Sequence, residues 1–198
     1  MTKSIRPLIL AIIGVSLLLL AFQNLQSEFV FDRHNIAQGQ WWRLITGNLT
    51  HSNYNHLALN LTGLWMLGFL FVDSLKIKTF ILSTIFLGLV VGSALYLYSP
   101  ELDFYYGFSG VLYGLYIIGA ISAIIKQDYF TGILVLSLII AKIIWDSLNG
   151  GSQTSAELIG IPVATDAHLY GVIGALIISA IYSLPSLIQL LKKGGGAI

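Results

Sequence analysis

Cysteine is absent from the 198 residues, so the chain has no disulfide framework, no thiolate nucleophile and no cysteine metal site. Charge is nearly as scarce: Asp, Glu, Lys and Arg fill 10% of positions, where a soluble domain carries roughly 25%. The formal net charge of +1 lacks the concentrated basic surface that nucleic-acid binding requires, so that class of partner is set aside. What is abundant is apolar surface, at 56% hydrophobic residues and a mean hydropathy of +0.83. Such a chain has a lipid bilayer, not water, as its solvent.

A membrane helix takes about 20 mostly apolar residues, and six stretches approach that length: 7–25, 56–72, 79–98, 109–125, 129–148 and 168–191. They predict an all-α membrane protein, one six-transmembrane-helix bundle over residues 1–198, with no soluble domain appended and no internal repeat. The first stretch follows Lys3 and Arg6 as a signal peptide would, but the run Ala21-Phe22-Gln23-Asn24 lacks the small residues of a cleavage site. A retained helix is expected there. Lys3, Arg6, Lys76, Lys78, Lys126, Lys192 and Lys193 all fall on one side of the bundle, against Arg33 and Arg43 on the other. The positive-inside rule then puts both termini in the cytoplasm. The connection 25–55 is long and aromatic, with Trp41 and Trp42 suited to the bilayer interface, and Gly194 to Gly196 read as a flexible tail.

Polar residues inside such helices are expensive and are functional candidates by default. The second stretch opens HSNYNHLALNLTGLW, where a spacing of four puts His56 and Asn60 on one helical face behind His51. The fourth begins in GFSGVLYGL, with Ser109 among Gly107, Gly110 and Gly114, and Tyr113 one turn on. Alone, this is a helix-packing pattern of small residues. At about 1.5 Å per residue the stretch from Ser109 to Ile125 is roughly 25 Å long, so its outer end starts below the membrane surface. The sixth begins Asp166-Ala167-His168-Leu169-Tyr170-Gly171, and His168 shares its face with Gly171 and Ala175.

Each of these has a bland reading as a hydrogen-bonded structural residue, but topology sets them side by side. The second, fourth and sixth stretches all start on the outer side, so His56, Asn60, Ser109 and His168 occupy one layer near the outer leaflet. A serine hydroxyl needs a base, and a histidine within hydrogen-bond reach is the usual one. An oxyanion needs positioned donors, which Asn60, a neutral imidazole N–H of His56 and the Ser109 backbone N–H can supply. No Asp or Glu stands out as a third member, since Asp166 lies two residues before His168 and faces elsewhere on a helix. A Ser109–His168 dyad with Tyr113 against the imidazole is therefore expected. Lys142 and Asp146, four apart in the fifth stretch, are set down as a possible intramembrane ion pair. No metal site is expected, because the histidines lack a carboxylate ligand in their layer.

These motifs resemble the rhomboid intramembrane proteases. Trp42-Arg43, then His51, His56 and Asn60, then Gly107-Phe108-Ser109-Gly110 with Tyr113, and lastly Ala167-His168 with Gly171 match that family's motifs in order. Ala175 stands where many members have a second glycine. The resemblance implies a cofactor-free serine endopeptidase acting on membrane-anchored proteins, with Ser109 and His168 as the dyad, His56 and Asn60 lining the oxyanion hole, and His51 structural. The stretches RLITGNLTHSNYNHLALNL and AKIIWDSLNG, followed by IGIPVATDAHLYG, resemble the rhombosortase branch in particular, although that branch often has histidine in place of Tyr113. That narrower likeness implies cleavage near glycine-glycine C-terminal sorting signals at a bacterial inner membrane, with the site opening to the periplasm. The competing expectations are an inactive relative that binds membrane helices and a transporter, which would spread its polar residues through several depths.

Overall fold

The computed structural model describes residues 7–194. Lys3, Arg6, Gly195 and Gly196 lie outside the described residues. In chain order the elements are α1 (Pro7–Gln23), α2 (Gln26–Phe29), β1 (Phe31–Asp32), α3 (Arg33–Ala37), α4 (Arg43–Thr46), a 3-10 turn (Gly47–Leu49), α5 (Tyr54–Phe71), α6 (Ile77–Tyr98), β2 (Phe104–Tyr105), α7 (Ser109–Ile125), α8 (Tyr129–Asn149), α9 (Gln153–Ile159) and α10 (Thr165–Gly194). Among the described residues three helices are long and apolar enough to cross a membrane: Ile77–Tyr98, Tyr129–Asn149 and Thr165–Tyr182. Pro7–Gln23 and Ser109–Ile125 are apolar but shorter.

Local chemistry sets several helix ends. The Asn53 side chain accepts from the His56 N–H and caps α5, which therefore starts two residues before the expected 56. Gly150 and Gly160 end α8 and α9 in the left-handed conformation, at φ 66° and 74°. Helix α7 is the axis of the bundle. Small residues such as Gly110, Gly114, Gly119, Ala120 and Ala123 are buried along it and admit α5, α6, α8 and α10. On and around it, Leu64, Leu67, Phe71, Phe80, Leu87, Val111 and Leu115 form the fully buried centre of the core.

The connection 25–55 is more ordered than its sequence indicates. Strand β1 pairs antiparallel with β2, Phe31 opposite Tyr105, so the connection between α1 and α5 is stitched to the one leading into α7. Arg33 donates to the carbonyls of Leu95, Tyr96, Ser99 and Leu102, at and just past the end of α6, where the helical ladder runs out of backbone donors. Arg43 is 4% exposed and donates to Gln40 Oε1 at 2.7 Å, Val30 O at 2.8 Å and Ser27 O at 3.1 Å. Arg33 is thus committed to backbone carbonyls, and Arg43 to two of them and the Gln40 side chain. Arg43→Ala would remove all three bonds and leave the buried Val30 carbonyl without this donor, and is expected to cost about 3 kcal/mol. The check is the thermal unfolding midpoint in detergent micelles, and Arg43→Lys should recover only part of the loss, because an ammonium cannot match the fork.

Candidate active site

Four elements converge where α7 begins. Gly107 enters with φ +117°, and a Cβ there would stand 2.6 Å from His56 Nε2, so glycine is required both for the backbone turn and for the approach of the imidazole. Its N–H donates to Thr50 O, and its carbonyl accepts from the Tyr105 hydroxyl, both at 2.7 Å. Held in this way, the turn delivers Ser109 as the first residue of α7, where the leading N–H groups have no intrahelical acceptor.

Helix α10 presents His168 from its first turn. Its Nε2 lies 3.0 Å from Ser109 Oγ, and its ring stacks on Tyr113 at 4.1 Å between centroids and 5° between planes. Contact of α7 and α10 at backbone distance makes this possible: a Cβ on Gly171 would fall 1.9 Å from Gly110 O, and one on Gly114 2.6 Å from Gly171 O. Ala175 is fully buried one turn past Gly171, where its methyl is accommodated.

The layer contains a residue the sequence did not assign to it. Asp146, in the last turn of α8, places Oδ2 3.2 Å from His168 Nδ1, while its Oδ1 bonds the Lys142 ammonium. The expectation that the histidine has no carboxylate beside it is corrected by this contact. Asp166 does turn away, accepting from the Ser99 hydroxyl at 2.7 Å.

His56 and Asn60 are both buried and line the same cavity as Ser109 and His168. One Asn60 N–H is spent on the His56 carbonyl at 3.1 Å, which leaves the second for another acceptor. The Ser52 hydroxyl donates to Ile159 O at 2.6 Å and also lies 3.1 Å from His56 Nδ1. A hydroxyl has one proton, so with it directed to Ile159 the His56 Nδ1 must carry the hydrogen, and a neutral ring turns a lone pair at Nε2 toward Gly107. The Nε2–H donor expected of His56 requires the other tautomer or the cation. It forms when Ser52 turns from Ile159, or when the ring is cationic. His51 is fully buried outside the helices, edge-on to His56 at 5.2 Å. Burial, and next the His56 imidazole, push its pKa down to about 3, so it stays neutral.

The surroundings are open on two sides. A cavity of about 460 Å³ runs from Ser109 and His168 between α5 and α8, past Gly63, Met66, Val135 and Leu138. A second, of about 430 Å³, reaches Ser109 and His56 from between the 102–106 and 159–164 segments. Among the described residues no group of three or more His, Asp or Glu side chains is arranged to hold a metal ion.

A rhomboid domain model matches residues 38–185, three quarters of the chain. The chain belongs to the rhomboid family. As a rhomboid it is a multi-pass membrane protein. It is 27% identical over 188 residues to the chloroplastic rhomboid-like protein 11 of Arabidopsis thaliana, covering 90% of this chain and 65% of that one. It is 29% identical over 152 residues to the rhomboid protease GluP of Bacillus subtilis, covering 76% of this chain and 28% of that one. This rhomboid therefore spans less than two thirds of the length of either relative.

Proposed function

We propose that the chain is an intramembrane serine protease that hydrolyses a peptide bond in or near the transmembrane segment of membrane-anchored substrates. The observation that carries this reading is the 3.0 Å approach of His168 Nε2 to Ser109 Oγ at a cavity reaching between two helices. Ser109 Oγ attacks the scissile carbonyl while its proton passes to His168 Nε2. The oxyanion is met by the Asn60 amide and the Ser109 N–H, with His56 joining once its Nε2 carries a hydrogen. As the C–N bond breaks, His168 returns the proton to the leaving amine. Water then attacks the acyl-enzyme by the same route and frees Ser109. The cleft between α5 and α8 is apolar along most of its length, which suits an incoming membrane segment.

In this reading six helices span the bilayer, both termini are cytoplasmic and the site opens to the periplasmic side of a bacterial inner membrane. The finer assignment is a rhombosortase, cutting near a glycine-glycine C-terminal sorting signal. Its support is the stretch RLITGNLTHSNYNHLALNL and the segment leading to Ala167-His168.

A fluorophosphonate probe applied to membranes containing the protein is expected to label it covalently, and Ser109→Ala to bring labelling to background at equal membrane abundance. Equal labelling of Ser109→Ala would remove Ser109 as nucleophile. An inactive helix-binding relative would give no labelling in either form and no processing of a co-expressed reporter bearing a C-terminal membrane anchor.

A further inference from the structure

Asp146 is 2% exposed, and its two oxygens serve different helices. Oδ1 bonds Lys142 one turn earlier on α8, whereas Oδ2 lies 3.2 Å from the His168 ring nitrogen opposite the one that faces Ser109. An ion pair that only neutralised two charges within α8 would have no need to turn an oxygen toward α10. Lys142 is 40% exposed and borders the cavity between α5 and α8, so its ammonium reaches Asp146 from the open side of the site.

The chemistry of imidazole gives this placement its meaning. A neutral histidine accepts a proton at Nε2 only when its own hydrogen sits on Nδ1, and a buried acceptor at Nδ1 selects that tautomer. A carboxylate is an acceptor without a hydrogen to give, and it also faces the imidazolium that forms once the serine proton has moved. Lysine is a donor without an acceptor, so it engages one oxygen and leaves the other for the ring.

We propose that Asp146 is a positioning residue for the Ser109–His168 pair: it takes the His168 Nδ1–H, keeps Nε2 available as the base, and is itself held by Lys142. The proposal rests on the reading that Ser109 and His168 perform hydrolysis, and it adds to the two-residue arrangement which the family resemblance implies. Protons move between Ser109, His168 Nε2 and the leaving amine, and Asp146 remains a carboxylate throughout.

The test is a tautomer reversal followed by its rescue, read on a purified reporter substrate in detergent or liposomes. In Asp146→Asn, Lys142 engages the amide oxygen and the amide NH2 turns to His168 Nδ1, which drives the ring hydrogen to Nε2. A fall in kcat on the order of 10³-fold is expected, with KM within threefold and probe labelling slowed in parallel. Adding Lys142→Met frees the amide to turn its oxygen to Nδ1–H, so the double variant is expected to regain at least tenfold over Asp146→Asn alone. A merely structural role gives a double variant no better than the single one, and that result overturns the proposal. So does Asp146→Asn activity within threefold of wild type while Ser109→Ala is inactive, an outcome that leaves hydrolysis by Ser109 intact. Full activity of Ser109→Ala is the separate failure of the underlying reading. Should Asp146→Asn fail to accumulate, the charge-free pair Lys142→Met with Asp146→Leu replaces it. That pair offers no acceptor, and the same loss is expected in a folded protein; activity within threefold of wild type overturns the proposal.

Discussion

His168→Ala is expected to lower reporter turnover by about 10⁴-fold or more. The imidazole is the group bonded to Ser109 Oγ, at 3.0 Å, and a serine hydroxyl without a base is a poor nucleophile at neutral pH. Removing the ring also empties the face of Tyr113 and leaves Asp146 with Lys142 alone, so a folding control is necessary. His168→Gln serves that purpose because it keeps volume and an amide near Asp146 while offering no titratable nitrogen. Both variants should bind substrate with a KM near that of wild type, because the loss lies in the chemical step. A folded His168→Gln protein turning over within tenfold of wild type would exclude His168 as the base. Fluorophosphonate labelling adds a second measurement, since capture of the probe needs the same activated hydroxyl.

Much of this site is legible in sequence for a topological reason. Helices that begin on the same side of a membrane present their first turns at one depth, so His56, Ser109 and His168 can be placed in a layer without knowing any packing angle. The same rule reaches Asp146 from the opposite direction. Helix α8 runs the opposite way, so its last turn lies level with those first turns and brings a carboxylate within 3.2 Å of His168 Nδ1. Its spacing of four from Lys142 offered a complete local explanation and concealed the longer-range partner. Ser52 is a different case. Its relation to His56 is local, but its hydroxyl is oriented by Ile159, 107 residues away, through the placing of α9. No periodicity encodes that contact. The short helices between residues 26 and 49 are also hidden, because segments of three to five residues are too short for a hydrophobic period to emerge. Arg33 and Arg43 appeared in sequence as two bases on the wrong side for the positive-inside rule. Their bonds to backbone carbonyls give them a structural reason to be there.

Gly171→Ala, one added methyl, is expected to cost about 3 kcal/mol of stability and at least 100-fold in turnover. The ideal Cβ at that position falls 1.9 Å from the carbonyl oxygen of Gly110, 2.8 Å from its carbon, and no flexible side chain is there to yield. Helices α7 and α10 must therefore separate, and these are the helices that carry Ser109 and His168. The two losses have one origin: a displacement near 1 Å breaks a hydrogen bond that was 3.0 Å long. Gly14→Ala is the control, since a Cβ on Gly14 meets nothing within 4 Å. The methyl on α1 is expected to be neutral or to stabilise by up to about 1 kcal/mol through helix propensity alone. Thermal midpoints in detergent, together with reporter turnover below the midpoint of the weaker variant, separate the two effects. If Gly171→Ala matched Gly14→Ala in both measurements, the close approach of α7 to α10 would not be what holds the hydroxyl and the imidazole together.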